Sequence, residues 1–206
     1  DLATLATLGS VLPALKQLRL YERSGAAGPD GVPRLAEGLA AGALPAVIQL
    51  GTYGMHVGDA GASAIAAALG RGALPRLKHL GLTHAAIDDA GLVALAPALW
   101  RLPVLESLDF FNNPLGDEGL AALLAPPPPA GTPPLPAGGL KKLKKLDLRY
   151  TKVTDAGCAA LAAALDSGAL PALVTLGLHG TPASAAAQDA VREALAKSRA
   201  ARVAAL

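Results

Sequence analysis

The residues with the chemistry for proton transfer, nucleophilic attack or metal ligation are few: four histidines, one cysteine and a series of evenly spaced aspartates. His79 and His84 lie five positions apart, roughly 15 Å along an extended strand. His179 lies three repeat units beyond His79, again about 15 Å at the spacing of neighbouring strands. No two of these share a proton or a metal ion, and His56 falls in a turn with no evident partner. Cys158 sits at an apolar helical position. A nucleophilic thiol needs a base beside it, and the spacing supplies none, so Cys158 is expected in the core. Asp59, Asp89, Asp117 and Asp155 recur in the pattern [V/I/L]-x-D-x-G. Asp just before an apolar helical run is a strong N-cap, so these four are expected to cap helices rather than to act as acids or bases. The reading is a protein that is not an enzyme, with no cofactor and no metal.

The other concentrated chemistry is cationic. Lys141, Lys142, Lys144 and Lys145 surround Leu143. Such a run suits an acidic partner or a phosphate, but on a chain of net charge +2 a solvated strand edge is the plainer expectation. The overall balance gives no argument for nucleic acid or an anionic membrane. One uncharged stretch, residues 38–58, has the length of a membrane span. Pro45, Gly51 and Gly54 interrupt it, and a repeat core explains its hydropathy, so no membrane association is expected. A lone cysteine excludes an internal disulfide and favours a reducing compartment; the expected location is cytoplasmic, with the nucleus open.

These residues are positioned by a nearly literal repeat. Gly-Ala-Leu-Pro occurs at 42–45, 72–75 and 168–171, and each occurrence introduces L-x-x-L-x-L. The pattern appears six times, opening at Leu15, Val47, Leu77, Leu105, Leu143 and Leu173, with steps of 32, 30, 28, 38 and 30 residues. Counted from the preceding turns, the repeats begin near 12, 44, 74, 102, 140 and 170. The D-x-G signature follows, then apolar residues at helical spacing such as Ile65 and Leu69, or Leu161 and Leu165. Each unit therefore reads as one strand, one turn and one helix. Successive strands run in the same sense. Strands pack at ~4.8 Å but helices need about 10 Å, so the stack must curve, with strands on the concave side and helices outside. The glycine two residues after each Asp costs a helix about 1 kcal/mol relative to Ala, which predicts close backbone packing there.

The units resemble leucine-rich repeats of the ribonuclease-inhibitor-like class, of the form L-x-x-L-x-L-x-x-N-x-I-G-D-x-G. The best match is Leu105 to Gly119, with Leu108, Phe110, Asn113, Leu115, Gly116, Asp117 and Gly119 in place. The resemblance implies an α/β leucine-rich-repeat solenoid, or horseshoe, spanning residues 1–206 as one domain, and a role in protein binding. The consensus Asn stands only at Asn113. Thr151 and Thr181 take its slot in units five and six, where a hydroxyl serves some of the same backbone bonds; Arg23, Met55 and Ala85 take it in units one to three. The first turn carries Gly28-Pro29-Asp30-Gly31 in place of D-x-G. Pro97 is expected to kink or end the third helix.

Alternation along the strands lists the concave face. It comprises Gln17, Arg19 and Tyr21; Gln49 and Tyr53; His79, Thr83 and His84; Ser107, Asp109, Phe111 and Asn112; Lys145, Asp147, Arg149 and Tyr150; Thr175 and His179. Four of the six aromatic residues fall on it. Rings beside arginine are common interface anchors, although aromatic residues also favour strands for their own sake. The expected partner is a protein bound on this face. The resemblance also admits a GTPase-activating protein of the Ran type, acting through the rim turns, or the sensor or substrate-recognition arm of a larger receptor or ubiquitin-ligase adaptor.

Two segments break the repeat. The insertion 125–139 holds seven prolines, explains the 38-residue step and should truncate the fourth helix. Within 126–136 it offers two P-x-x-P matches, the form read by SH3, WW or profilin-type domains, though a tolerated insertion is the plainer reading. Residues 183–206 read as a C-terminal capping helix with Val191 and Leu195 inward. The opening residues read as the end of a helix with no comparable cap, so a longer chain with upstream repeats is expected.

Overall fold

In a computed structural model, residues 12–22, 31–125 and 139–204 are described. Six strands and six helices alternate: β1 (Gln17–Tyr21), α1 (Gly31–Ala40), β2 (Gln49–Tyr53), α2 (Gly58–Gly70), β3 (His79–Thr83), α3 (Asp89–Trp100), β4 (Ser107–Asp109), α4 (Asp117–Leu124), β5 (Lys145–Asp147), α5 (Asp155–Asp166), β6 (Thr175–Gly177) and α6 (Ala185–Ala204). The strands form one parallel sheet in the order β1-β2-β3-β4-β5-β6. The register follows the repeat: Leu18, Leu50, Leu80, Leu108, Leu146 and Leu176 lie side by side. Each helix packs on its successor, and one continuous apolar core lies between sheet and helices. This is the α/β solenoid that the period implies.

The Gly-Ala-Leu-Pro motif is a helix terminator. Gly42, Gly72 and Gly168 have φ of 89°, 89° and 74°. The amides of Ala43, Ala73 and Ala169 reach back to the carbonyls of Gly38, Ala68 and Ala164. That closes the last helical turn and satisfies carbonyls that would otherwise have no donor. The following Leu44, Leu74 and Leu170 are buried, which pins the chain as it enters the next strand.

Three local expectations are corrected or refined. Helix α3 neither ends nor breaks at Pro97 but continues to Trp100. Pro97 lies on a half-exposed side of the helix, where water can reach the carbonyl left without an amide. Helix α4 is the short one, as the insertion requires, and Trp100 covers its end by donating its indole N–H to the Leu123 carbonyl at 2.7 Å. Thr52 stands in the third-leucine slot of its unit; it is 1% exposed, and its hydroxyl has no hydrogen-bond partner. Arg23, the Gly28–Asp30 turn, the P-x-x-P matches and the opening helix-like residues lie outside the described residues. No described helix is long and apolar enough to cross a membrane.

The four repeated aspartates do not cap their own helices. They occupy the first turn, and the capping positions belong to Val57, Asp88, Gly116 and Thr154. Only Asp88 and Thr154 cap with a side chain, to the amides of Ala90 and Ala156. The repeated carboxylates instead cross to the next unit. Asp59 accepts from the Asp88 amide at 3.0 Å. Asp89 accepts from the amides of Gly116 and Gly119 at 2.7 and 2.8 Å. Asp117 takes the amide and hydroxyl of Thr154, and Asp155 those of Ser184. Each carboxylate thus neutralises the positive end of the following helix rather than its own. The signature glycines make room for it. A β-carbon on Gly91, Gly119 or Gly157 would collide with Asp59, Asp89 or Asp117 of the preceding unit.

The buried Asn113 works in the opposite direction along the stack. Its Oδ1 accepts the amides of Ala85 and Ile87, both at 3.1 Å. Its Nδ2 donates to the carbonyls of Leu82 and Phe110 at 2.6 and 2.9 Å. One side chain therefore completes the turn of unit three, which has only Ala85 at the equivalent slot. Thr151 and Thr181 donate to their own strands, to the carbonyls of Leu148 and Leu178.

Candidate interaction face

The open face of the sheet presents the second, fourth and sixth residues after each unit's first apolar position, because side chains alternate along a strand. Three of the six fourth positions are glycine: Gly51, Gly81 and Gly177. Neighbouring side chains lie down over them. The Tyr53 ring occupies the space above Gly51, with its hydroxyl toward Gly81, and Arg149 lies over Gly177.

One position further on, the backbone turns left-handed in five units. Gly54, His84, Asn112, Tyr150 and Gly180 have φ of 68°, 52°, 52°, 58° and 76°. For a residue with a β-carbon this conformation costs on the order of 1 kcal/mol or more. It interrupts the alternation of the strand, so the side chains of His84 and Tyr150 come to lie among those of the preceding position. The result is a zigzag of rings. His84 meets Phe111 at 5.3 Å between centroids, Phe111 meets Tyr150 edge-on at 5.2 Å, and Tyr150 meets His179 edge-on at 5.5 Å. The Arg149 guanidinium stands 5.2 Å from the Phe111 centroid, a cation over the negative face of a ring. Asn112 and the His84 ring nitrogen Nδ1 are 2.6 Å apart. Thr83 interrupts the series, and the other two rings, Tyr21 and Tyr53, form a separate parallel stack at 4.8 Å.

Of the residues expected on this face, Arg19, Tyr21, His84, Asn112, Arg149, Tyr150 and His179 are exposed, and Tyr53, His79, Asp109 and Phe111 are partly so. Asp147 is the exception. It points to the open face but is only 2% exposed, because Arg149 folds over it with a two-pronged contact of 2.8 and 2.6 Å. Burial pushes the Asp147 carboxyl upward, but the Arg149 hydrogen bonds and charge outweigh it and hold the group below the usual carboxylate range. Asp147 therefore holds Arg149 in place. Arg19 is steadied more weakly, by Gln49 at 3.3 Å.

Sequence reasoning placed the rings on one face but missed their order and the aiming of Arg149. The only available signal was the recurrence of Gly at the slot after the strand, which marks the left-handed turn. The two histidines end one ring series but do not approach each other directly. Among the described residues no group of His, Cys, Asp or Glu is arranged to hold a metal ion. Cys158 is buried, and burial foremost, with Asp155 and Asp117 nearby, raises its thiol pKa.

A family model described as "Leucine Rich repeat" matches residues 74–96, 101–124 and 139–162, which are units three to five. Units three to five are therefore leucine-rich repeats. The remaining units continue the same strand register and helix stacking, so the leucine-rich-repeat solenoid extends from β1 to α6. No curated protein matches the sequence. Among solved structures, the tropomodulin C-terminal domain of Caenorhabditis elegans is similar at 16% identity and a TM-score of 0.52, over 99% of both chains. A structure titled leiomodin-1 actin-binding site 2 is similar at 14% identity and a TM-score of 0.52, over 96% of this chain and 88% of that one. At these identities the likeness is one of fold.

Proposed function

We propose that this leucine-rich-repeat domain is a non-enzymatic protein-binding module that takes its partner on the open face of the sheet. The observation that carries the reading is the Phe111–Tyr150 ring pair with Arg149 clamped over Phe111 by Asp147. Rings and an arginine, half-exposed and already held in place, lose little conformational freedom on binding, which is the property of interface anchors. Arg19, Tyr21 and Tyr53 extend the face at one end; His84, Asn112 and His179 flank the ring pair; His79 and Asp109 lie nearer the start of the strands. The left-handed backbone at His84, Asn112 and Tyr150 fits the same reading, since strain of this kind concentrates at binding sites. The rim reading, a GTPase regulator of the Ran type, gains nothing from the turns, where Asp59, Asp89, Asp117 and Asp155 are occupied in joining one unit to the next. A cytoplasmic or nuclear setting suits the free, buried thiol.

The test is a capture experiment from the source lysate with wild type and with a Tyr53→Ala, Phe111→Ala, Tyr150→Ala variant, each checked by thermal melting. Purified actin is added as a defined candidate, because the leiomodin-1 structure of this fold is titled an actin-binding site. A partner held by wild type and lost by the folded variant supports the open face. A partner held equally by both moves the site elsewhere.

A further inference from the structure

The near-neutral net charge conceals a separation between the two edges of the sheet. At the turns that leave the strands stand Asp59, Asp88, Asp89, Asp117, Glu118 and Asp155, with Lys152 as their cation. Much of that acidity is consumed internally, as the hydrogen bonds from Asp59, Asp89, Asp117 and Asp155 to the following units show. The opposite edge, where the chain enters the strands, is cationic. Over the described residues of the turns feeding β3, β4 and β5, from Arg71 to Lys145, there are eight cations and one carboxylate.

That carboxylate is Glu106, and it is fully engaged. Lys144 and Lys78 approach it from the two neighbouring strands at 2.8 and 3.2 Å, and their hydrogen bonds lower its pKa from 4.5 to about 2. It organises two cations without offsetting the rest. Arg71 and Arg101 sit at helix C-termini, where a cation complements the helix dipole. No such role covers Lys141 and Lys142, which are exposed in the turn before β5, or Lys145, exposed on the strand itself. The cationic run ends before β6, whose feeding turn carries Asp166 and no lysine or arginine, although Arg202 reaches back to it from α6 at the Pro171 carbonyl, 3.2 Å.

We propose that this edge is a second interaction surface, which takes an extended acidic segment of a protein partner. Charge complementarity names the occupant. Carboxylates on one side of an extended chain recur every ~7 Å, against cations on strands spaced ~4.8 Å, so several pairs form without a shaped pocket. Nucleic acid is disfavoured because the rings near the lysines are committed or partly covered: Trp100 packs on Gly139 and donates its indole N–H to the Leu123 carbonyl, and His79 is only partly exposed, while Tyr21, Tyr53, Phe111 and Tyr150 belong to the other ends of the strands. The surface adjoins the open face at Lys145 but uses none of the rings of the ridge.

The experiment uses the whole chain and a capped oligoglutamate peptide labelled with a fluorophore. Three proteins are compared: wild type; Lys141→Gln, Lys142→Gln, Lys145→Gln; and Arg34→Gln, Lys152→Gln, Arg192→Gln, which removes the same charge elsewhere. Wild type and the second triple variant are expected to bind, with affinity falling about tenfold or more as salt rises from about 0.15 to about 0.5 M; the lysine variant should lose at least that factor. The Tyr53→Ala, Phe111→Ala, Tyr150→Ala variant should bind like wild type, which separates this surface from the open face. The proposal is overturned if wild type ignores the peptide, if both charge variants lose binding equally, or if vesicles containing phosphatidylserine or a single-stranded oligonucleotide bind more tightly than the peptide.

Discussion

The Asp117 carboxylate accepts the Thr154 amide at 2.8 Å and occupies the space that a β-carbon on Gly157 would need. Asp117 belongs to unit four, and both Thr154 and Gly157 to unit five. The D-x-G signature is thus one half of two successive contacts: its aspartate serves the next helix, and its glycine admits the aspartate of the previous one.

Gly157→Ala should therefore reverse the usual sign. In an open helix Ala gains about 1 kcal/mol over Gly, whereas here the clash should cost ~1–3 kcal/mol. Asp117→Ala alone should cost about 1–2 kcal/mol, the value of a lost cap. With the carboxylate gone the tightest contact is relieved and only Val153 Cγ1, at 2.8 Å, still crowds the new methyl, so the double variant should be more stable than the sum of the two losses by at least ~0.5 kcal/mol. Urea unfolding of the four proteins measures this, and strict additivity would remove the proposed contact.

Asn113→Ala leaves the Ala85 and Ile87 amides and the Leu82 and Phe110 carbonyls without their partner in a buried turn. The expected loss is about 3 kcal/mol or more, among the largest for a polar residue of this chain. Hydrogen exchange at Ala85 and Ile87 should accelerate in the variant, and unchanged protection there would contradict the assignment.

Thr52→Val should stabilise. The two side chains have nearly the same shape, and the Thr52 hydroxyl is buried without a partner. Removing that desolvated group is worth on the order of 1 kcal/mol. A thermal melt that falls rather than rises would mean that the hydroxyl is satisfied in solution.

The Asp147–Arg149 pair gives a pH signature. The Asp147 carboxyl titrates below its ordinary 3.8 in the folded protein, so its contribution is complete above that value. It is lost as the pH falls through the lower, folded pKa. Asp147→Asn should cost about 1–2 kcal/mol at neutral pH, and the two proteins should converge in strong acid. A gap that stays constant down to pH ~2 would rule out the ionised carboxylate as its source.

What the sequence determined by itself was everything that depends on where a side chain points relative to its own backbone. The leucine spacing set the strands, their parallel sense and their register. The apolar run after each D-x-G set the helices, and alternation placed Tyr21, Tyr53, Phe111 and Arg149 on one face. These are local properties, carried by periods of two and 3.6 residues. The tertiary structure decided what depends on the pitch between units. Asp117 bonds Thr154 across 37 residues and Asp89 bonds Gly116 across 27, distances along the chain that carry no period. The same stacking linked His84 to His179 through Phe111 and Tyr150 and gathered the lysines of separate units onto one edge. Each depends on how far one unit is shifted against the next, and close packing of the whole core fixes that shift.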